Sequence, residues 1–123
     1  MTASPKFFFP LAACFSALHY FALRSDLYWY APWLDVLMHT WGGFLVIYGF
    51  IMLGSIGSGK FTLATWLLPL LLILIMVAWE VFEYAFGLTV MDAYYVRDTT
   101  FDIICGAAGG WLAYLLTKKR TTS

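Results

Sequence analysis

Residues 62–86 read TLATWLLPLLLILIMVAWEVFEYAF, an apolar run that ends with a pair of carboxylates. A helix rises about 1.5 Å per residue, so a run of this length crosses the roughly 30 Å of a bilayer's hydrocarbon core. Its continuous Leu and Ile residues differ from the short alternating strands of a membrane β-barrel. The stretch therefore predicts a membrane-spanning helix, with a kink at Pro69.

Three other stretches have the same character. They run from about Phe7 to Leu23, from about Leu34 to Leu53 and from about Asp98 to Thr117. The chain of 123 residues is 63% hydrophobic and 11% charged, with a mean hydropathy of +0.81. Soluble domains carry about 25% charged residues. The predicted fold class is all-α, an integral membrane four-helix bundle that forms a single transmembrane domain over residues 1–123.

The charge distribution predicts how the bundle is oriented. Seven Lys and Arg balance seven Asp and Glu, which leaves no basic face for nucleic acid. Lys and Arg in short loops favour the cytoplasmic side of a membrane. Four crossings place Arg24 and Arg97 on one side and the other five on the side of the termini: Lys6, Lys60, Lys118, Lys119 and Arg120. Both termini are therefore expected in the cytoplasm.

Ionisable residues inside the predicted spans are the second decisive feature, because such groups are costly in a membrane. There are seven, all near the outer ends of the helices: His19, Asp35, His39, Glu80, Glu83, Asp98 and Asp102. Six of them form pairs three or four residues apart, so each pair shares one helix face. Gly43, Gly106 and Gly110 continue two of these faces, and small residues line helix contacts in membranes. The spacing predicts a shared polar pocket.

Five carboxylates in one poorly hydrated pocket need compensation, since like charges and desolvation both disfavour their ionised forms. Protons, the two arginines of that side or bound cations could supply it. A mixed set of imidazoles and carboxylates suits Zn, Mn or Fe, and Mg if the histidines do not contact the ion. The predicted cofactor is a divalent metal ion, and its predicted ligands are Asp35, His39, Glu80, Glu83, Asp98 and Asp102.

Structural roles compete with metal binding for several of these residues. Asp98 could cap its helix, and Asp35 could favour the dipole at a helix N-terminus. The two glutamates could form an ion pair with Arg97. His39 could simply be held by Asp35, and His19 could be a core or interface histidine.

The three pairs, in this order, resemble a known family. The matching motifs are Asp35-Val-Leu-Met-His39 with Gly43, Trp79-Glu80-Val-Phe-Glu83-Tyr84, and Asp98-Thr-Thr-Phe-Asp102 with Gly106 and Gly109. Over residues 33–113 the chain resembles the YjdF-type family of small bacterial inner-membrane proteins and, more distantly, the VanZ-like proteins linked to glycopeptide resistance. The resemblance implies a multi-pass protein of the bacterial inner (cytoplasmic) membrane. It supplies no established reaction.

The leading hypothesis is a metal-dependent membrane hydrolase that acts on a lipid or lipid-linked head group. A metal ion could polarise a phosphoryl or ester oxygen and activate water, while a carboxylate accepts the proton. Glu80 and Asp102 are the candidate catalytic carboxylates, and Arg97 is the candidate residue for binding an anionic head group. Membrane lipid is the expected partner.

Two other functions fit the same residues. A proton- or cation-coupled transporter would use the carboxylates as an ion site in a homo-oligomer, with a narrow path along Gly42, Tyr48, Gly49 and Gly54. A non-enzymatic membrane interaction protein would use the polar cluster to lock helices together or to dock another subunit.

Overall fold

The computed structural model describes residues 3–56, 66–88 and 93–118. Its helices are α1 (Pro5–Arg24), α2 (Leu27–Tyr30), α3 (Trp33–Ile56), α4 (Leu67–Ala85) and α5 (Tyr95–Thr117), with no strand in those ranges. The four long helices are each long and apolar enough to cross a membrane. The all-α fold is confirmed, and the chain is a membrane protein.

The helix bounds differ from the predicted ones in several places. A short helix, α2, follows Asp26, whose backbone has a left-handed φ of 52° and turns the chain after α1. Helix α5 begins at Tyr95, about one turn earlier than expected. Helix α4 begins at Leu67, so Pro69 lies in its first turn, where a missing N–H breaks no helical hydrogen bond. The predicted kink there is therefore wrong, and residues 62–65 lie outside the described residues.

Helix α3 is the centre of the bundle, because every other helix packs against it. Its closest neighbour is α5, and glycines allow this approach. A Cβ atom on Gly43 would collide with the backbone of Gly106, and a Cβ on Gly109 would collide with the Thr40 carbonyl. The prediction that small residues line helix contacts is confirmed here.

Two apolar clusters occupy opposite halves of the bundle. We call the end where α1 and α4 finish and α3 and α5 begin the acidic end, and the opposite one the Lys118 end. The larger cluster fills the half near the Lys118 end: Ile47, Tyr48, Leu68, Leu72, Met76 and Ala113. A smaller one near the acidic end contains Ala22, Leu34 and Met38. The buried ionisable side chains, His39, Glu80 and Asp102, lie at the acidic end.

Substitution of Gly109 tests the contact between α3 and α5. Gly109→Ala places a methyl group against the backbone of Thr40, which has no rotamer with which to avoid it. We expect the free energy of unfolding to fall by about 1 to 3 kcal/mol, as in overpacked cores, measured by SDS titration in mixed micelles. Ala108→Leu, at an exposed neighbouring position, is the control. Equal stability of the two variants would contradict this packing.

Candidate metal centre

His39 lies at the centre of the polar groups. It is buried, with 6% of its surface exposed. Its Nε2 atom lies 3.5 Å from Asp35 Oδ1, one helical turn away on α3, and 3.6 Å from Asp102 Oδ2 on α5. The glycine contact between α3 and α5 makes the second distance short. The imidazole therefore lies between carboxylates from two helices.

Helix α4 adds a second pair of carboxylates to the same histidine. One ligand-type atom from each of His39, Glu80 and Glu83 lies within 4.8 Å of the others, and the same holds for Asp35, His39 and Asp102. Ligand atoms around a tetrahedral zinc ion lie about 3.4 Å apart, so modest side-chain movements would let either group surround an ion. His39 belongs to both groups.

Glu80 carries a buried oxygen that has no hydrogen-bond partner among the described residues. Its residue surface is 6% exposed, and its Oε2 accepts a hydrogen bond of 3.1 Å from the Thr99 hydroxyl. Its Oε1 is buried and, among the described residues, unpaired. An unpaired buried carboxylate oxygen is unfavourable unless a proton or a cation lies beside it. Glu80 Oε1 therefore points to a bound positive charge.

Glu83 lies one turn further along α4 and is partly buried. Its Oε1 accepts a hydrogen bond of 2.9 Å from Trp79 Nε1, and the indole ring contacts the imidazole of His19 edge-on, with centroids 5.2 Å apart. Trp79 therefore orients Glu83 and connects α4 to α1 through side chains.

The structure does not bring Asp98 and Arg97 to this group. The Asp98 side chain is 68% exposed and lies 3.9 Å from Arg97 Nε, and the guanidinium lies over the Tyr94 ring at 5.2 Å. Asp98 is in the first turn of α5, about 6 Å further toward the helix end than Asp102. The N-cap of α5 is Tyr94, so Asp98 does not cap the helix either.

A cavity of about 230 Å³ lies beside His39, between α1, α2, α3 and α4. Its polar lining consists of His19, Tyr28, Asp35, His39, Trp79 and Glu83. Glu80 and Asp102 are not among the lining residues. Asp102 belongs to α5, and Glu80 accepts its hydrogen bond from Thr99 of the same helix. His39 lines the cavity and also contacts these two carboxylates, which are the most buried ones.

Tyr28 is a site residue that the sequence analysis does not identify. Its hydroxyl lies 2.6 Å from His19 Nδ1. Burial raises the pKa of the Tyr28 phenol above its ordinary value, and the nearby negative charges of Asp35 and Glu83 raise it further. The phenol therefore stays protonated at the acidic end of the cavity. The short helix α2, which places it there, is too short to give a periodic signal.

No protein family matches the chain, and no curated protein or solved structure does so. The resemblance to the YjdF-type and VanZ-like families stays a prediction.

Alkaline titration tests the environment of Tyr28. Because its pKa is raised, we expect Tyr28 to contribute no phenolate at about pH 11, one unit above the ordinary tyrosine pKa of about 10. The tyrosinate absorbance of folded wild type and Tyr28→Phe should then be equal at that pH, with helicity followed by circular dichroism. A deficit of one phenolate in the variant would contradict the burial of this phenol.

Proposed function

We propose that this membrane protein binds a divalent metal ion at His39 and uses it to hydrolyse an ester or phosphoester bond in the head group of a lipid. One observation carries the proposal: a buried imidazole shared by two groups of carboxylates, together with a buried Glu80 oxygen that has no partner in the part of the chain that the structure describes. Nitrogen and oxygen donors together suit Zn, Mn or Fe. With the imidazole at the centre, an all-oxygen Mg site is less suitable.

Five side chains are assigned to the ion or its immediate surroundings: Asp35, His39, Glu80, Glu83 and Asp102. The donors come from α3, α4 and α5, so ion binding would stabilise the packing of these three helices. Asp98 is left out because its side chain is exposed and belongs to neither group. Arg97 is exposed as well and lies beside Asp98, and its predicted contact with an anionic head group stays a prediction.

The reacting groups are those that face the cavity. A bound divalent ion supplies a Lewis acid and lowers the pKa of water beside it. Glu83 lines the cavity and is oriented by Trp79, so we assign it as the proton acceptor. Water attacks the phosphoryl or carbonyl centre, Glu83 takes its proton, the bond to the leaving oxygen breaks, and Glu83 returns the proton to that oxygen. Glu80 and Asp102, which do not line the cavity, would hold the ion.

The proposed orientation places both termini in the cytoplasm and the acidic end at the outer face of a bacterial inner membrane. The excess of Lys and Arg on the side of the termini supports it. A head group at the outer interface would then lie at the level of His39.

The packing near the Lys118 end argues against a transporter. Tyr48, which was predicted to line a narrow path, is completely buried. Its ring stacks on Phe44 at 5.7 Å and on Phe8 at 6.4 Å, and its hydroxyl accepts a hydrogen bond from the Ser4 backbone. These contacts fill the space that ions would cross, which favours the enzyme over the carrier.

Metal analysis of matched variants tests the proposal. We expect purified wild type to retain Zn²⁺ or Mn²⁺ stoichiometrically after dialysis at neutral pH. Asp102→Asn should raise the Kd for the metal at least about tenfold, because Asp102 Oδ2 lies 3.6 Å from His39. Asp98→Asn makes the same chemical change one turn away on the same helix and should leave the Kd unchanged. Mass spectrometry for metals and isothermal titration measure both.

A second variant guards against failure of Asp102→Asn to fold. Glu83→Gln changes a partly buried carboxylate that packs less tightly, and we expect it to weaken metal binding as well. Wild type without stoichiometric metal, or Asp98→Asn with the same loss as Asp102→Asn, would overturn the proposed site.

A further inference from the structure

The cavity beside His39 lies where two helices fail to meet. Helices α1 and α4 both flank α3, yet within the described ranges their backbones do not pack against each other, and α1 does not pack against α5 either. Only side chains span the gap, among them His19 against Trp79. Since α5 lies on the other side of α3 and α4, the gap faces the surrounding membrane. Among the described residues, no helix backbone closes this lateral side of the cavity.

The lining of the cavity changes character along the membrane normal. Toward the acidic end it carries His19, Tyr28, Asp35, His39 and Glu83. Toward the Lys118 end it is apolar and carries no charged side chain: Phe15, Gly42, Leu45, Val46 and Ile75. A gradient of this kind matches an amphiphile with its polar part at the membrane surface and its chain pointing inward.

We infer that a membrane lipid with a phosphate-ester head group enters the cavity sideways between α1 and α4. This inference rests on the proposed metal site and names its substrate class and route. The volume of about 230 Å³ is roughly eight times that of one water molecule, so it holds a segment of one chain rather than a whole lipid. The chain lies against Phe15, Leu45 and Ile75, with the head group at His39.

Charge explains why the head group and the ion belong together. The carboxylates of Asp35 and Glu83 face the cavity, and alone they would repel a phosphate. A divalent ion held beside them reverses this, because the phosphate oxygens can contact it directly. Binding of the chain requires only the apolar lining, whereas binding of the phosphate requires the metal. The two contributions can therefore be measured separately.

Photolabelling in vesicles tests the lateral route. The protein is reconstituted in phosphatidylglycerol that contains a phosphatidylglycerol probe with a diazirine in its acyl chain, and labelled residues are identified by mass spectrometry. We expect labelling of Phe15 and Ile75 to fall about tenfold in Gly42→Leu, which fills the cavity. A Cβ at Gly42 would meet Phe15 at an ordinary 3.6 Å, and the cavity that Gly42 lines offers room for the rest of the leucine side chain; circular dichroism checks that the variant is folded.

Two internal controls accompany Gly42→Leu. Ala78→Leu adds side-chain bulk at an exposed position of α4 and should leave the labelling unchanged. Ile73 lines a separate apolar groove between α4 and α5, and its labelling should be the same in all variants. Equal labelling of Phe15 and Ile75 in wild type and Gly42→Leu would overturn the inference, even where metal binding remains stoichiometric.

Removal of the metal distinguishes this inference from the proposed function. Chelation should lower cavity labelling by the phosphatidylglycerol probe and not by a diacylglycerol probe with the same chains. If a chelator leaves the labelling by the phosphatidylglycerol probe unchanged, the head group does not bind at the ion and this part of the inference is overturned. Wild type that binds no metal overturns the proposed function, and the Gly42→Leu comparison still decides whether a chain occupies the cavity.

Discussion

Burial of ionisable side chains inside an apolar bundle is the constraint from which the rest follows. His39, Glu80 and Asp102 are each at most 8% exposed, and charge at such depth persists only when it is paired or neutralised. The glycine contact between α3 and α5 brings Asp102 within 3.6 Å of His39. The close approach of two backbones is thus what converts separate polar faces into one centre.

The bundle divides its tasks between its two ends. Apolar side chains packed around the buried Tyr48 hold the helices together near the Lys118 end. This packing lets the acidic end keep a cavity with His39 in its wall, although empty space and polar groups there do little for stability. Helix α1 has few buried residues and borders the cavity on its open side. A centre of α3, α4 and α5 and an α1 with few buried residues suit a site that receives a ligand from the membrane.

Sequence periodicity predicted most of the centre, because a helix places residues three or four apart on one face and the rise per residue sets their depth. The donors at His39, Glu80, Glu83 and Asp102 meet as that arithmetic requires. Periodicity could not show that Asp98, although it shares a helix face with Asp102, lies beyond the packed part of the bundle and is exposed. Nor could it place Tyr28, because the order in which helices pack is set by tertiary contacts and leaves no period in the sequence.

X-ray absorption at the metal edge of the zinc-loaded protein tests the central claim most directly, since it reports the atoms bound to the ion. The account predicts a shell of oxygen donors with one imidazole, and loss of the imidazole signal in His39→Gln while His19→Gln leaves it unchanged. A shell of oxygens alone in the wild type, or an imidazole signal that survives His39→Gln, would contradict the assignment of His39 as the residue that joins the two groups of carboxylates.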